Sequence, residues 1–321
     1  KDPVSAGTVH IDVSRYSRRQ RSILFRRFSS GDTMVVCRSL VQHKSSLFAC
    51  ASHAHAGSTL VTVRADGAQY TGFASDRCIM QHMRMTGHVW ASDSIDAFMD
   101  LSRRFYDVEP GTSGLFCDIG ANIGTTCIHF RRNIDPGVRV LAFEPMRDIY
   151  DCLVTNAGMN GLGSDEFTAV NAGVSDKCGQ ATMALCAANP GGSCIASDGE
   201  AVATVRFDDY IHESGIDVAD IKYVWVDIEG FEGAFLSGAM DTLSRIDVPV
   251  VVEFTPKYLA KFGHAKQFID SVESLYSYYV VVSDPGMTVY PVSRLRRYFN
   301  ADFSHKEHVQ FDIFLLKHGC V

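Results

Sequence analysis

Four acids stand at or near the ends of apolar runs: Asp118 after 115–117, Glu144 after 138–143, Asp227 after 223–226 and Glu253 within 248–254. In an open α/β sheet, ligands bind beyond the carboxyl ends of the strands, near the point where strand order reverses, so acids at those exits are placed to do chemistry. The first acid lies in LFCDIGANIG (115–124), an apolar run that passes through Asp118 into a small-residue turn with Gly120, Ala121 and Gly124, before a helix expected from Thr125. A strand ending in such a turn gathers backbone N–H groups and the positive end of a helix dipole around one spot, which suits a ligand carboxylate or phosphate.

The glycine pattern narrows the ligand. A dinucleotide fingerprint needs G-x-G-x-x-G, with the middle glycine admitting the pyrophosphate. Here Asn122 holds that place and Thr125 blocks a shifted frame, so a pyrophosphate is crowded. Glu144 lies 20 residues beyond Gly124 (144 − 124), at the end of the next strand. An acid there can hold both hydroxyls of a ribose; the plainer reading is an acid that caps the following helix. S-adenosylmethionine combines a nucleoside with no phosphate, and its sulfonium favours nearby carboxylates, which Asp118 and Asp227 can supply.

Stepping outward, the elements that must position these acids alternate. Strands are predicted over 138–143, 167–170, 223–226 and 248–254, with helices between, and 279–282 and 309–316 close the sheet. Residues 182–186 and 201–207 read as a hairpin around the loop 189–192. Helices are predicted from Thr125 to Arg132, over the stretch holding Ile149, Cys152, Leu153 and Ala157, and over the one holding Phe268, Ile269, Val272, Leu275 and Tyr276. Ser94 reads as the cap of an earlier helix with Ile95, Phe98, Met99 and Phe105 on one side. The fold class is α/β with a mostly parallel sheet. Residues 1–92 form an N-terminal extension, a basic arm plus a small strand-rich region with a hairpin turn at Ala65-Asp66-Gly67, and 93–321 form the ligand-binding domain.

The bulk numbers set limits. With 321 residues, 46% hydrophobic and a mean hydropathy of +0.01, the chain builds a sizeable core. A net charge of -7 argues against wholesale nucleic-acid binding, although the arm carries Arg15, Arg18, Arg19, Arg21, Arg26 and Arg27. Ten cysteines are scattered without a CxxC, which reads as a reducing, cytoplasmic setting with no disulfide framework. No apolar run reaches membrane-span length, and no signal-peptide pattern is visible. Cys50, His53 and His55 cluster, but no fourth ligand follows at metal-site spacing, and no metal is expected.

CDIGANIG (117–124), AFEP (142–145), NAGVSD (171–176) and WVDIEGFE (225–232), in this order, resemble the FkbM family of S-adenosylmethionine-dependent methyltransferases, as does TVRFDDYI (204–211). The resemblance covers roughly residues 80–317. It implies the Rossmann-like seven-stranded methyltransferase sheet with an antiparallel last strand, and O-methylation of a hydroxyl on a small molecule or glycan. By the motif match, Asp118, Gly120, Ala121, Asn122 and Gly124 line the methionine end, and Glu144 with Pro145 holds the ribose. Asn171, Ala172 and Gly173 border the adenine, and Asp227 faces the amino acid or sulfonium. A hydroxyl must lose its proton to a placed base. Glu229 is the first candidate, Glu253 the second and His264 the third, with Asp227 completing the catalytic acids. The absence of an NPPY-like loop after the fourth strand leans against amine targets. An RNA ribose methyltransferase gripping its target with the Arg-rich arm, and a cofactor-binding module without turnover, are the alternatives.

Overall fold

The computed structural model describes residues 59–184, 194–195, 199–299 and 309–319. The Arg-rich arm, the Cys50/His53/His55 cluster and the loop 189–192 lie outside the described residues.

Strands β1 (Leu60–Ala65) and β2 (Ala68–Phe73) form an antiparallel hairpin. Its Asp66-Gly67 turn takes positive φ at both residues, +46° and +78°, the twist that a two-residue hairpin loop requires. Helices α1 (Ile79–Thr86) and α2 (Ser92–Tyr106) follow. Ser94 is not the cap: α2 begins two residues earlier, at Ser92, so Ser94 lies within its first turn. Next come β3 (Gly114–Ile119), α3 (Thr125–His129), a π-helical turn over Phe130–Ile134, β4 (Val138–Phe143), α4 (Arg147–Met159) and β5 (Phe167–Val170). The helix predicted to run evenly to Arg132 therefore widens at Phe130, whose ring stacks 4.5 Å from Phe116 and meets Tyr223 edge-on at 4.9 Å.

The next segment is β6 (Gly173–Ser175), β7 (Gly179–Ala184), β8 (Cys194–Ile195) and β9 (Glu200–Arg206). The expected hairpin is present as β7 against β9, within a small separate sheet ordered β6-β9-β7-β8. Phe207, expected in its strand, instead opens α5 (Phe207–Glu213) and is buried against Phe235. The chain continues through β10 (Ile221–Val226), α6 (Glu232–Gly238), α7 (Met240–Arg245), β11 (Val250–Phe254), α8 (Pro256–Lys261), α9 (Ala265–Leu275), β12 (Tyr278–Val281), β13 (Val289–Pro291) and β14 (Phe311–Leu316).

Among the described residues the main sheet runs β13-β12-β14-β11-β10-β3-β4-β5. Strands β11, β10, β3, β4 and β5 are parallel neighbours, and β14, the last strand, is antiparallel to β11 and β12. This is the expected seven-stranded arrangement with β13 added at the edge. The chain winds outward from β3 through β4 and β5, then crosses back to β10 and β11, so the switch point lies between β3 and β10. Both faces of the parallel strands are covered, as their near-continuous apolar sequences demand. Phe98, Phe116, Phe130, Tyr223 and Phe314 fill one side, and Phe143, Phe207, Phe235, Phe254 and Phe268 the other.

The β1–β2 hairpin is fastened to this sheet through α4. The Asn160 amide pairs with both the N–H and the carbonyl of Gln69, and the Asn156 amide with those of Thr71, so two side chains one helical turn apart stand in for a neighbouring strand. Asn156 Nδ2 also donates to the Ile123 carbonyl at 2.8 Å, which ties the hairpin to the turn after β3.

Candidate active site

A cavity of ≈ 410 Å³ opens over the carboxyl ends of β3, β4 and β10. Its floor is the turn after β3. Gly120 has φ +91°, and a Cβ there would lie 2.0 Å from the Asp227 carbonyl oxygen, so only a hydrogen fits between the exits of β3 and β10. Asn122, in the place of the fingerprint's middle glycine, has φ +52°. It tolerates that conformation because its Oδ1 accepts the Ile123 N–H at 2.7 Å.

Glu144 follows β4 and is almost fully buried. Its Oε2 accepts the Asn122 N–H at 3.1 Å and its Oε1 the Met146 N–H at 2.8 Å, so one carboxylate joins the two loops at the cavity floor. Burial pushes its carboxyl up to about 7, against the pull of the two N–H groups. Asn171 Nδ2 donates to the carbonyls of Glu144 and Pro145, each at 2.9 Å, and fixes the same loop from the β5 side.

The remaining acids gather around DIEGFE. Asp227 opens onto the cavity, yet protein packs around it. Burial, then Glu229, Asp312, Glu232 and Asp118, hold its carboxyl well above the usual range. Glu229 sits on the wall with φ +54°, and burial pushes it up to about 7. Glu232 is fully buried; its Oε1 accepts the N–H groups of Ile228 and Gly230, winding the turn around its own carboxylate, while Oε2 has no partner. Asp118 lies inside β3 rather than at its exit. Burial pushes its carboxyl up to about 7, against a pull downward from neighbouring Cys127, and Oδ2 has no hydrogen-bond partner. Glu253 is buried in β11, where its Oε1 accepts from Gln310 and its Oε2 is unpartnered; burial and then Asp227 raise its carboxyl strongly. No ion pair among the described residues involves any of these five acids or Glu144.

The structure thus brings Gly120, Asn122, Glu144, Pro145, Ala172, Gly173, Asp227 and Glu229 to one cavity wall. Asp118, Ala121, Gly124, Asn171 and Glu253 stand behind it. Sequence reasoning missed the rest of the lining: Met183, Val202 and Thr204 from the β7–β9 hairpin, Ser175 at the end of β6 with Asp176 and Lys177 after it, and Phe231 with Phe262. The interruption of the strand–helix rhythm after Val170 is the signal that marks such an insertion. No cluster among the described residues is arranged to hold a metal, and no helix among them is long and apolar enough to cross a membrane.

The raised acids set a pH dependence. Asp118, Glu144, Glu229 and Glu232 have folded pKa values of about 7, against about 4 unfolded. Between those values the folded chain holds more protons than the unfolded one, so their contribution to stability is full below the lower value and is lost as pH rises through the upper. The melting temperature of the ligand-free protein is expected to fall from about pH 5 to about pH 8; a flat or rising profile in a thermal-melt series would contradict this. Glu229 adds backbone strain, since a Cβ in the left-handed region costs about 1 kcal/mol. Glu229→Gly is expected to stabilise the fold by about 1 kcal/mol near neutral pH, read from chemical denaturation, and a loss of stability would speak against strain at this turn.

The Methyltransferase FkbM domain matches residues 118–280, half of the chain. No curated protein matches the sequence. Among solved structures, the chain is similar to the methyltransferase FkbM from Methylobacillus flagellatus, at 15% identity over 73% of this chain and 65% of that one, with a TM-score of 0.40. It is also similar to an S-adenosylmethionine-dependent O-methyltransferase from Thermotoga maritima, at 15% identity over 80% of this chain and 77% of that one, with a TM-score of 0.38. The domain match covers the floor of the cavity, DIEGFE and the strands that carry them, and on it the chain belongs to the FkbM family of S-adenosylmethionine-dependent methyltransferases.

Proposed function

We propose that the protein transfers a methyl group from S-adenosylmethionine to a hydroxyl of a small molecule or glycan. The observation that carries this reading is a cavity over the strand exits whose lining holds carboxyls that no ion pair neutralises, Glu144, Asp227 and Glu229, together with the imidazole of His264. Behind the wall, Asp118 Oδ2 and Glu253 Oε2 are buried without partners, and a cation held in the cavity would favour the ionised form of these raised carboxyls. The sulfonium and ammonium of the cofactor are such cations. Gly120 lets the exits of β3 and β10 close up beneath the cavity, and Glu144 lines it at the end of β4, where this reading puts the ribose.

In this reading Gly120 and Asn122 line the methionine end, Glu144 with Pro145 holds the ribose, and Ala172 and Gly173 border the adenine. Asp227 faces the cation, with Asp118 and Glu253 lending charge from behind. When bound, the cofactor supplies an electrophilic methyl group. The chain's own task is then to align an acceptor in line with it, exclude water, and take one proton. Phe231 and Phe262, beside Gln180 and Thr204, give a wall with apolar faces and hydrogen-bonding edges that suits a hydroxylated ring.

The test is incubation with methyl-labelled S-adenosylmethionine and a panel of monosaccharides, glycosides, phenols and polyketide alcohols, with products read by mass spectrometry. A methyl ether is the expected product. Methylation of amines alone, or of no hydroxyl in the panel, would overturn the reading.

A further inference from the structure

We propose that His264 is the base that takes the proton from the acceptor hydroxyl, and that Gln267 and Asp176 hold it in the tautomer this requires. The inference rests on the hydroxyl-methylating reading above. His264 lines the cavity just before α9, with its ring centroid 4.6 Å from that of Phe231. Its Nδ1 lies 2.7 Å from Gln267 Oε1, and Gln267 Nε2 donates to Asp176 Oδ2 at 3.1 Å.

Elementary chemistry gives this chain one direction. A carboxylate only accepts, so Gln267 turns its amide nitrogen to Asp176 and its carbonyl oxygen to His264. That oxygen also only accepts, so Nδ1 of the imidazole must carry the hydrogen. A neutral ring protonated at Nδ1 keeps its lone pair on Nε2, which has no hydrogen-bond partner among the described residues. Ser175 Oγ donates to the other Asp176 oxygen at 3.2 Å and completes the series. The backbone beneath the ring is fixed as well. His264 N–H donates to the Leu259 carbonyl at 2.8 Å and its carbonyl accepts from Phe268 at 2.9 Å. A Cβ on Gly233 would come within 2.4 Å of that carbonyl oxygen, so α6 abuts the residue without slack.

Glu229 is the rival on the wall, and its surroundings assign it other work. It shares a wall with Asp227 and its charge raises the carboxyls of Asp227, Glu232 and Glu253, which groups it with the acids of that wall. In the step, the acceptor O–H bond breaks and its proton passes to Nε2. The oxygen bonds the methyl carbon, the carbon–sulfur bond breaks, and its electron pair stays on sulfur. Ether, thioether and imidazolium result, and no further reactant is needed.

The test is long-range proton–nitrogen correlation spectroscopy on the full chain carrying isotopically labelled histidine, with His264 identified by its loss in His264→Gln. The Nδ1–H tautomer is expected in the native protein, a change of tautomer in Gln267→Leu, and a mixture in Asp176→Asn, where the amide is free to turn over. An Nε2–H ring in the native protein, or an unchanged ring in Gln267→Leu, would overturn the network. On the hydroxyl acceptor that the panel identifies, His264→Gln should lower kcat by roughly a hundredfold or more, with S-adenosylmethionine affinity within about twofold. An unchanged kcat sinks the base assignment alone. Failure of every hydroxyl in the panel sinks the hydroxyl reading and the base with it, while the tautomer experiment still reports on the network separately.

Discussion

Glu144→Ala is expected to weaken S-adenosylmethionine binding by roughly a hundredfold or more, about 2.7 kcal/mol. Two losses combine. If Glu144 holds the ribose as proposed, its charge-assisted hydrogen bonds to the hydroxyls are worth about 1.5–3 kcal/mol each. The same carboxylate accepts the N–H groups of Asn122 and Met146, and truncation strands both beside the cavity. Each stranded donor costs about 1–3 kcal/mol, and the turn after β3 loses its tie to the loop after β4. Glu144→Gln separates the two contributions. Its amide oxygen can still accept one N–H, but its NH2 group faces the other donor, so an intermediate affinity is expected. Calorimetric titration of both variants checks this, and wild-type affinity in Glu144→Ala would refute the ribose assignment.

Gly120→Ala is expected to be the most damaging glycine-to-alanine change among the described residues. The added Cβ would stand 2.0 Å from the Asp227 carbonyl oxygen and 2.8 Å from the Ile228 side chain, at φ +91°. A backbone oxygen cannot swing aside as a flexible side chain can. The exits of β3 and β10 would have to part, although Asp227 N–H donates to the Ile119 carbonyl at 3.0 Å and β3 and β10 are hydrogen-bonded neighbours in the middle of the sheet. Overpacking of this kind, added to an unfavourable φ, is expected to cost about 3 kcal/mol or more. Chemical denaturation measures it, and the fraction that folds should have lost cofactor binding. Stability within about 0.5 kcal/mol of wild type would show that the two exits are not locked together as described.

Much of this site was legible in the chain because its parts are local. LFCDIGANIG declares itself through an apolar run followed by small residues, and Glu144 through its place at the end of the next strand. DIEGFE does so by following an almost wholly apolar β10. What escaped depends on crossings that spacing does not encode. Asp118 sits within a strand, so its side chain falls behind the wall rather than on it. Glu232 looked like an ordinary acid of the motif, yet its carboxylate organises the turn that precedes it. Helix α8 carried a readable signal, Pro256 at its first position. Asp176, His264 and Gln267 meet only because β6, α6 and α9 pack at one corner, and no sequence pattern relates residues so far apart.

In the proposed function the carboxyl-lined cavity receives the cofactor's positive charge. A cation favours the ionised form of every raised carboxyl it meets, so binding must expel protons wherever those acids are still partly protonated. The measurement is calorimetric titration of the wild-type chain with S-adenosylmethionine and with its uncharged thioether product, S-adenosylhomocysteine, slightly below neutral pH, in buffers of different ionisation heat. The prediction is one molecule bound per chain, with net proton release that is larger for the sulfonium, and with affinity that rises as pH approaches the range above about 7. Absence of binding, or binding with no proton release for either ligand, would contradict it.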